Sequence, residues 1–481
     1  MKNIKIVLAA LMLSFFASCD SAIDIDQPGE LSPEATFQTV EDLQKGMFAA
    51  YGAMSTISEI SFNSIFTDEV RLGFANGGQG LNDGKYGFIL NTNSNDAYSI
   101  WQSNYTLINF ANRVIEGANN VHVTGSGIAA KNDIIAHCRL LRAYAHFKLI
   151  SYFSTNPADM NAWGAILVDH VPATNEMLPR STNEQIYKFI DQDLAFAVTN
   201  IQFNRDNSDR RFLSLDFIDA FKARMYAFKG DYANAKTYAE KVYNKYPLTP
   251  AGEYKYIWTD ELVIEDEVIF KLDRIRNEAK IGSIWASVDA TVAGSPFYAV
   301  STDLYTALHN DEDVRYTTFI SNTSDFSDPG KIVICKYPGS GGFALLNDEK
   351  VFRSSEMLFI LAEAAVELGS PADVSFWLQQ LNDARFTANV PTVATPATKQ
   401  AALKMILDER RKELCYEGHR YLDLKRLGKR AGITGIERNP QDCSVNGACF
   451  LEIDSHKFTM PIPNDEIMPN TAIRGQQNPG Y

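Results

Sequence analysis

The sequence is short of positive charge, cysteine and histidine, and it has almost no long hydrophobic run. Lys and Arg together number 45 against 59 Asp and Glu, a formal charge of −14 over 481 residues. Such a chain has no basic field to gather phosphates, which sets a nucleic-acid partner aside. The seven histidines are scattered, and His137 and His146, nine apart, share no helix face. They are expected as packed or surface residues. No CxxC pair or Cys/His cluster suggests zinc, so neither metal nor cofactor is expected. H-E-x-x-H and G-x-S-x-G are absent, and the glycines before Lys85 miss the P-loop pattern because position 86 is Tyr. No catalytic machinery is visible, and the chain reads as a non-enzyme.

The one long apolar run, Ile6 to Phe16, follows Lys2 and Lys5 and precedes Ala17-Ser18-Cys19. It is too short for a membrane span, which needs about 20 residues. Its order of charged, apolar and small residues is that of a secretory signal, here 1–18. A Cys directly after two small residues resembles a bacterial lipobox, although Phe16 replaces the usual aliphatic residue. Ordinary cleavage and an uncleaved segment are the alternatives. Acylation of Cys19 by more than one chain would anchor the protein to a membrane. Residues 19–38, with Asp20, Asp24 and Asp26, read as an acidic tether.

What remains is an ordinary globular composition, 45% hydrophobic and 22% charged. Leu43, Met47, Ala50, Tyr51 and Met54 recur at helical spacing after Thr39, and similar periodicity predicts helices near 96–117, 128–153, 181–200, 214–229, 231–245, 351–368, 371–386 and 398–427. Ala223, Tyr226, Gly230, Ala235, Ala239, Val242 and Pro247 fall at the small, aromatic, turn and breaker positions of a tetratricopeptide unit. Two regions lack such order. Residues 66–98 hold a Gly-rich loop, and 250–345 mix β-rich runs, Val263 to Leu272 and Lys331 to Tyr337, with loops. The fold class expected is mainly α, a tetratricopeptide-like superhelix with an irregular loop and short-strand insertion, in one domain over 39–481.

Cys138 and Cys415 in helical patterns and Cys335 in a strand-like run read as buried small hydrophobes. Cys443 and Cys449 flank Asn446-Gly447 in a loop-rich stretch, and in an oxidising envelope they suggest a small disulfide. Glu409, Glu413 and Glu417 are four apart, but Arg410 and Arg420 interleave with them. A structural ion-pair network is expected rather than paired catalytic acids. For ligand binding, aromatic faces suit the C–H faces of sugars while Asn, Asp and Arg hold hydroxyls. That mixture occurs twice. Asp68, Arg71, Asn76, Asn82, Asp83, Tyr86 and Phe88 lie in the Gly-rich segment, and Trp285, Phe297 and Tyr298 in the insertion. Trp101, within a helical pattern, is expected in the core.

Several segments resemble the SusD/RagB family of outer-membrane lipoproteins of Bacteroidetes. The acidic stretch after Cys19 looks like their surface-export signal. Trp101, Tyr105, Ile108, Asn109, Asn112 and Ile115, then Leu141-Arg142-Ala143-Tyr144, are similar to two of the family's helices. Arg180-Ser181-Thr182 and Asp313-Val314-Arg315 match shared segments. Arg353-x-x-Glu356-Met357 with Ala362-Glu363-Ala364, Glu409-Arg410-x-x-Glu413 through Asp423 and Arg426, Pro461-Ile462-Pro463, and the final Gln477-Asn478-Pro479-Gly480-Tyr481 match most specifically. The resemblance implies a superhelix of about four degenerate helix pairs. It also implies a cell-surface role in which the chain captures oligosaccharide, or peptide in RagB-like members, and delivers it to a SusC-like TonB-dependent outer-membrane transporter. A glycoside hydrolase on a helical scaffold and a plain protein-binding repeat are the readings from other classes. The family's hallmark residues look structural and do not locate the ligand site.

Overall fold

The computed structural model describes residues 36–79, 81, 84–261, 263, 266–287 and 296–481. The signal, Cys19 and most of the tether lie outside these residues. α1 (Val40–Ala53) starts at a capping box in which Thr39 and Asp42 satisfy each other's backbone N–H groups. α2 (Ile57–Phe66) follows, unanticipated because it is buried nearly all round with polar Glu59, Asn63 and Ser64 among its buried residues, which leaves no single apolar face to read. After β1 (Val70–Leu72) come α3 (Asn95–Gly117), α4 (Ser126–Phe153), α5 (Asn183–Asn200), α6 (Leu215–Lys229) and α7 (Tyr232–Tyr243). These agree with the helical periodicities to within a few residues. α1, α3, α4 and α5 stack in turn, and α6 and α7 form the tetratricopeptide-like hairpin. At its turn Gly230 has φ +74°, a left-handed conformation that glycine takes without a Cβ penalty. Ala223, Ala235 and Ala239 are buried, which lets the two helices approach closely.

The insertion begins with α8 (Tyr254–Trp258) and continues through β2 (Val268–Leu272), β3 (Tyr298–Val300), α9 (Thr302–Leu308), α10 (Val314–Phe319), β4 (Gly339–Ser340), β5 (Phe343–Ala344) and β6 (Glu349–Arg353). All sheets among the described residues are two-stranded and antiparallel: β1 with β3, β2 with β6, β4 with β5, and a last pair near the C-terminus. The run Lys331 to Tyr337 forms no regular strand; Ile334 makes one isolated bridge, to Ile320. β6 leads into α11 (Ser354–Leu368), which packs on α7, on α12 (Val374–Arg385) and on α13 (Lys399–Glu413). The architecture is mainly α and tetratricopeptide-like, with short strands in the segment after α2, in the insertion and in the C-terminal part.

The helix expected over 398–427 is broken. α13 ends at Glu413, and the chain resumes as α14 (Arg420–Asp423) followed by a π-helical turn over Leu424–Gly428. Between them Tyr416 (φ +64°) and Gly418 (φ +85°) reverse the backbone. The break sends Glu413 and Glu417 into the interior rather than along one helix face. Glu413 meets Arg353 and Arg385, each at 3.0 Å, and Glu417 meets Arg353 at 2.7 Å and Lys336 at 2.6 Å. Glu409 pairs with Arg315 at 2.5 Å, itself held by Asp313 at 2.7 Å. The network is therefore buried, and its cations come from the insertion and α12. Arg410 instead pairs with Asp423, and Arg420 with Asp68. Buried pairs of this kind favour one arrangement of scaffold and insertion more than they add net stability.

Candidate functional site

The two aromatic-bearing segments meet. β1 and β3 pair with Val70 opposite Val300, Arg71 opposite Ala299 and Leu72 opposite Tyr298. The ladder continues past the strands, where the Gly73 and Ala75 N–H groups donate to the carbonyls of Phe297 (2.9 Å) and Pro296 (3.0 Å). Gly73 is required there, because a Cβ would lie 2.2 Å from the Pro296 oxygen. The Asn76 amide adds a bond to the Phe297 carbonyl at 3.1 Å. Phe297 and Tyr298 are half-buried at this joint, and Phe74 beside them is 62% exposed with Lys331 at 5.1 Å over its ring.

A disulfide-closed loop braces the joint from the C-terminal side. Cys443 and Cys449 are joined, their Cα atoms 5.1 Å apart. The loop belongs to the segment between β7 (Gly435–Glu437) and β8 (Phe450–Glu452), with α15 (Pro440–Cys443) inside it. The Asp442 carboxylate accepts from the Thr302 N–H (2.8 Å) and hydroxyl (2.6 Å) and pairs with Arg71 at 2.9 Å. Its carbonyl accepts the Tyr86 hydroxyl at 2.7 Å. Arg438 donates to the carbonyls of Ile65 and Phe66 and covers Tyr86 at 4.2 Å and Phe88 at 4.0 Å.

These contacts correct the expected roles of several residues. Asp68 is buried and gripped by Arg420 through two bonds of 2.8 Å and by Arg411 at 3.2 Å. Burial works against its charge, but the two guanidinium groups override it and hold the carboxyl well below the usual range. Arg71 is committed to Asp442. Tyr86 and Phe88 are buried, and burial pushes the Tyr86 hydroxyl up to about 12. Trp285 is 1% exposed, parallel to Tyr337 at 5.9 Å and edge-on to Tyr416 at 5.2 Å, with its indole N–H on the Ser64 hydroxyl at 3.2 Å. It fills the core of the insertion and has no face for a sugar. Asn82 and Asp83 lie outside the described residues. Of the expected set, the surface of the joint keeps Phe297 and Tyr298, with Asn76 beneath them.

The other expectations fall as follows. Trp101 is buried against Phe153 at 4.8 Å. His137 is held by the Tyr51 hydroxyl at 2.6 Å, and His146 by the Arg142 carbonyl at 2.9 Å. Cys138 and Cys415 are buried thiols, Cys335 a half-buried one. Reading the sequence missed a group of surface rings, Tyr305, His309, Tyr316 and Phe326, next to the joint. The i, i+4 spacing of Tyr305 and His309, before the acidic turn Asp311-Glu312-Asp313, was the available signal. No described helix is long and apolar enough to cross a membrane.

Comparison with known proteins gives a consistent result. The model of the SusD family matches residues 329–481, and one described as "Starch-binding associating with outer membrane" matches residues 22–212. SusD-like protein P2 of Formosa agariphila is 25% identical, over the full length of both chains. A SusD superfamily protein from Bacteroides thetaiotaomicron superposes with a TM-score of 0.75 at 22% identity, covering 92% of this chain and 100% of its own. Surface glycan-binding protein A from Bacteroides fluxus gives a TM-score of 0.72 at 17% identity, with the same coverage. These structural likenesses show the fold.

Proposed function

We propose that this chain, which belongs to the SusD-like family, is a glycan-binding lipoprotein of the outer membrane that captures oligosaccharide without cleaving it. The observation that carries the reading is the β1–β3 pairing, which brings the Gly-rich segment and the insertion to one edge and leaves Phe74 exposed there beside the half-buried Phe297 and Tyr298. The outer-membrane association in one matching family's description and the surface glycan-binding protein among the structural neighbours support it. Acylation at Cys19 supplies the anchor, and a SusC-like TonB-dependent transporter is the partner that receives the ligand. Tethering both to one membrane raises their effective concentration, so modest affinity for each ligand suffices.

Calorimetry of the body that follows Cys19, against plant, host and microbial oligosaccharides, tests the reading. Binding to one glycan class without product formation is expected, weakened about 10-fold or more in Tyr298→Ala, as for loss of a stacking anchor. Binding of peptides with none of the glycans would replace the ligand class. Hydrolysis abolished at a single carboxylate would overturn the binding role.

A further inference from the structure

A cavity of about 690 Å³ lies away from the β1–β3 joint, and its wall has the opposite charge to the molecule as a whole. Five segments converge on it: the end of α4, the α6–α7 turn, the π-helical turn, residues 453–459 and Pro479. A chain of ring contacts separates it from the joint, with Phe458 5.7 Å from Tyr421, Tyr421 5.8 Å from Phe66, and Phe66 5.5 Å from Phe88. Its volume is that of an ordinary small-molecule site, and walls from five segments suit a compact ligand rather than an extended chain.

The lining holds Lys425, Arg426, Lys429 and Arg430 against one carboxylate, Asp454, in a chain where acidic residues outnumber cationic ones 59 to 45. The carboxylates that meet these cations are shared. Glu363 and Asp423 each serve both Arg426 and Arg410, Glu367 serves Arg430 and Lys399, and Asp454 serves Lys429. Among the described residues Lys425 has no carboxylate at all. Its ammonium donates to the carbonyls of Ser151 at 3.0 Å, Tyr152 at 3.3 Å and Ser154 at 2.6 Å. Buried Arg180 likewise reaches the Phe153 carbonyl at 2.8 Å and the Asn478 amide oxygen at 2.9 Å. The two cations cover the carbonyl end of α4, whose negative dipole would otherwise repel an anion. Burial, with the Arg180 charge adding to it, lowers the Lys425 ammonium to about 7, and an anion in the cavity would raise it again.

The charge is also accessible. The Lys429 and Asp454 side chains are 74% and 68% exposed, and a pair so open to water is held weakly. Beside them the Asn156 amide N–H groups and the His456 ring make no hydrogen bond among the described residues, so the wall offers neutral donors next to the cations.

We propose that this cavity binds a sugar of one or two units that carries an oxyanion, whether carboxylate, sulfate or phosphate. Lys429 meets the anion within the field of Lys425, Arg426 and Arg430, and Asn156 and His456 take the hydroxyls. The site is additional to glycan capture at the joint and does not rest on it.

Calorimetry of the body that follows Cys19 tests this with glucuronate, glucose 6-sulfate and glucose 6-phosphate, against glucose and inorganic sulfate and phosphate. At least one acidic sugar should bind about 10-fold or more tightly than glucose and than the inorganic ions. Its affinity should fall as NaCl rises from about 50 to about 500 mM. Lys429→Glu should weaken it by about 10-fold or more at an unchanged melting temperature, while Tyr298→Ala leaves it unaltered. Equal binding of glucose would make the charge irrelevant and overturn the proposal. Inorganic ions as tight as the acidic sugars would reduce the site to an oxyanion hole with no role for the sugar, which also overturns it. Acidic-sugar binding lost in Tyr298→Ala but intact in Lys429→Glu would move the ligand to the joint. Silence from every probe removes this cavity as a site and leaves glycan capture, read by the oligosaccharide panel, standing.

Discussion

Two groups of aromatic rings lie in or against the insertion, and they differ in everything but composition. Trp258, Trp285, Tyr337 and Tyr416 are buried, with Tyr337 edge-on to Trp258 at 5.4 Å and parallel to Trp285 at 5.9 Å. Lys336 sits among them, 4.3 Å over Trp258 and 4.0 Å over Phe319, its ammonium donating to two backbone carbonyls and to Glu417. Tyr305, His309, Tyr316 and Phe326 touch one another just as closely, yet all four stay at least partly open to solvent, with Tyr305 and Tyr316 resting one side against the interior. Ring content therefore does not mark a binding surface in this molecule. What separates the groups is how much of each ring the protein itself covers.

The sharpest way to break this comparison is to remove a buried ring. Trp285→Ala should cost about 3–5 kcal/mol of stability, the range for a large aromatic deleted from a core, and denaturant unfolding would measure it. A loss below about 1 kcal/mol would return Trp285 to the list of ligand-facing residues. Lys336→Met comes next. It leaves the Glu417 carboxylate and the Glu413 carbonyl with Arg353 alone and the Cys415 carbonyl without its side-chain donor, and should cost about 3 kcal/mol.

Glu69 gives an effect of opposite sign. It is buried beside the inner ring group, accepting the Tyr416 N–H at 3.1 Å; burial first, with the neighbouring Asp68 charge adding to it, pushes its carboxyl up to about 8. Because the folded value lies above the unfolded one, its favourable contribution is present below about pH 4.5 and is lost as pH rises toward 8. Glu69→Gln should therefore stabilise the protein by about 1–3 kcal/mol at pH 8 and by almost nothing at pH 4, seen as a flatter melting temperature between those values. The smallest effect is expected at the outer rings, where Phe326→Ala should change stability by no more than about 0.5 kcal/mol and Tyr305→Ala, which rests partly on the core, by about 1 kcal/mol. A larger loss would place them in the core group.

The same contrast explains what the sequence disclosed. Helices were legible because a single face carries the apolar residues and local capping sets the ends, as at Thr39 and Thr182. The break after Glu413 was not, because it is imposed from outside: Arg353 and Lys336 draw Glu417 inward, and no local pattern announces partners about 60 or more residues away. For the site, the sequence placed aromatic and polar residues in two irregular segments, and the structure joins those segments. It could not show which side chains stay free. Asp68 and Arg71 were read as hydroxyl-binding groups because their guanidinium and carboxylate partners, Arg420, Arg411 and Asp442, lie far away in the chain. Trp285 was read as an anchor because burial depends on register with Tyr337 and Tyr416, which neither residue's neighbours encode.

The loop closed by Cys443 and Cys449 has a consequence in the order of assembly. Arg438 bonds the Thr67 carbonyl across a separation of 371 residues, and Asp442 reaches Arg71 over a similar span. Contacts so distant along the chain form late. A polypeptide emerging N-terminus first thus carries its Gly-rich segment unpaired until β3 follows it, and completes the β1–β3 joint only once its last few dozen residues arrive. A chain cut short before that loop would keep its helical stack while losing the surface for which the stack is a platform.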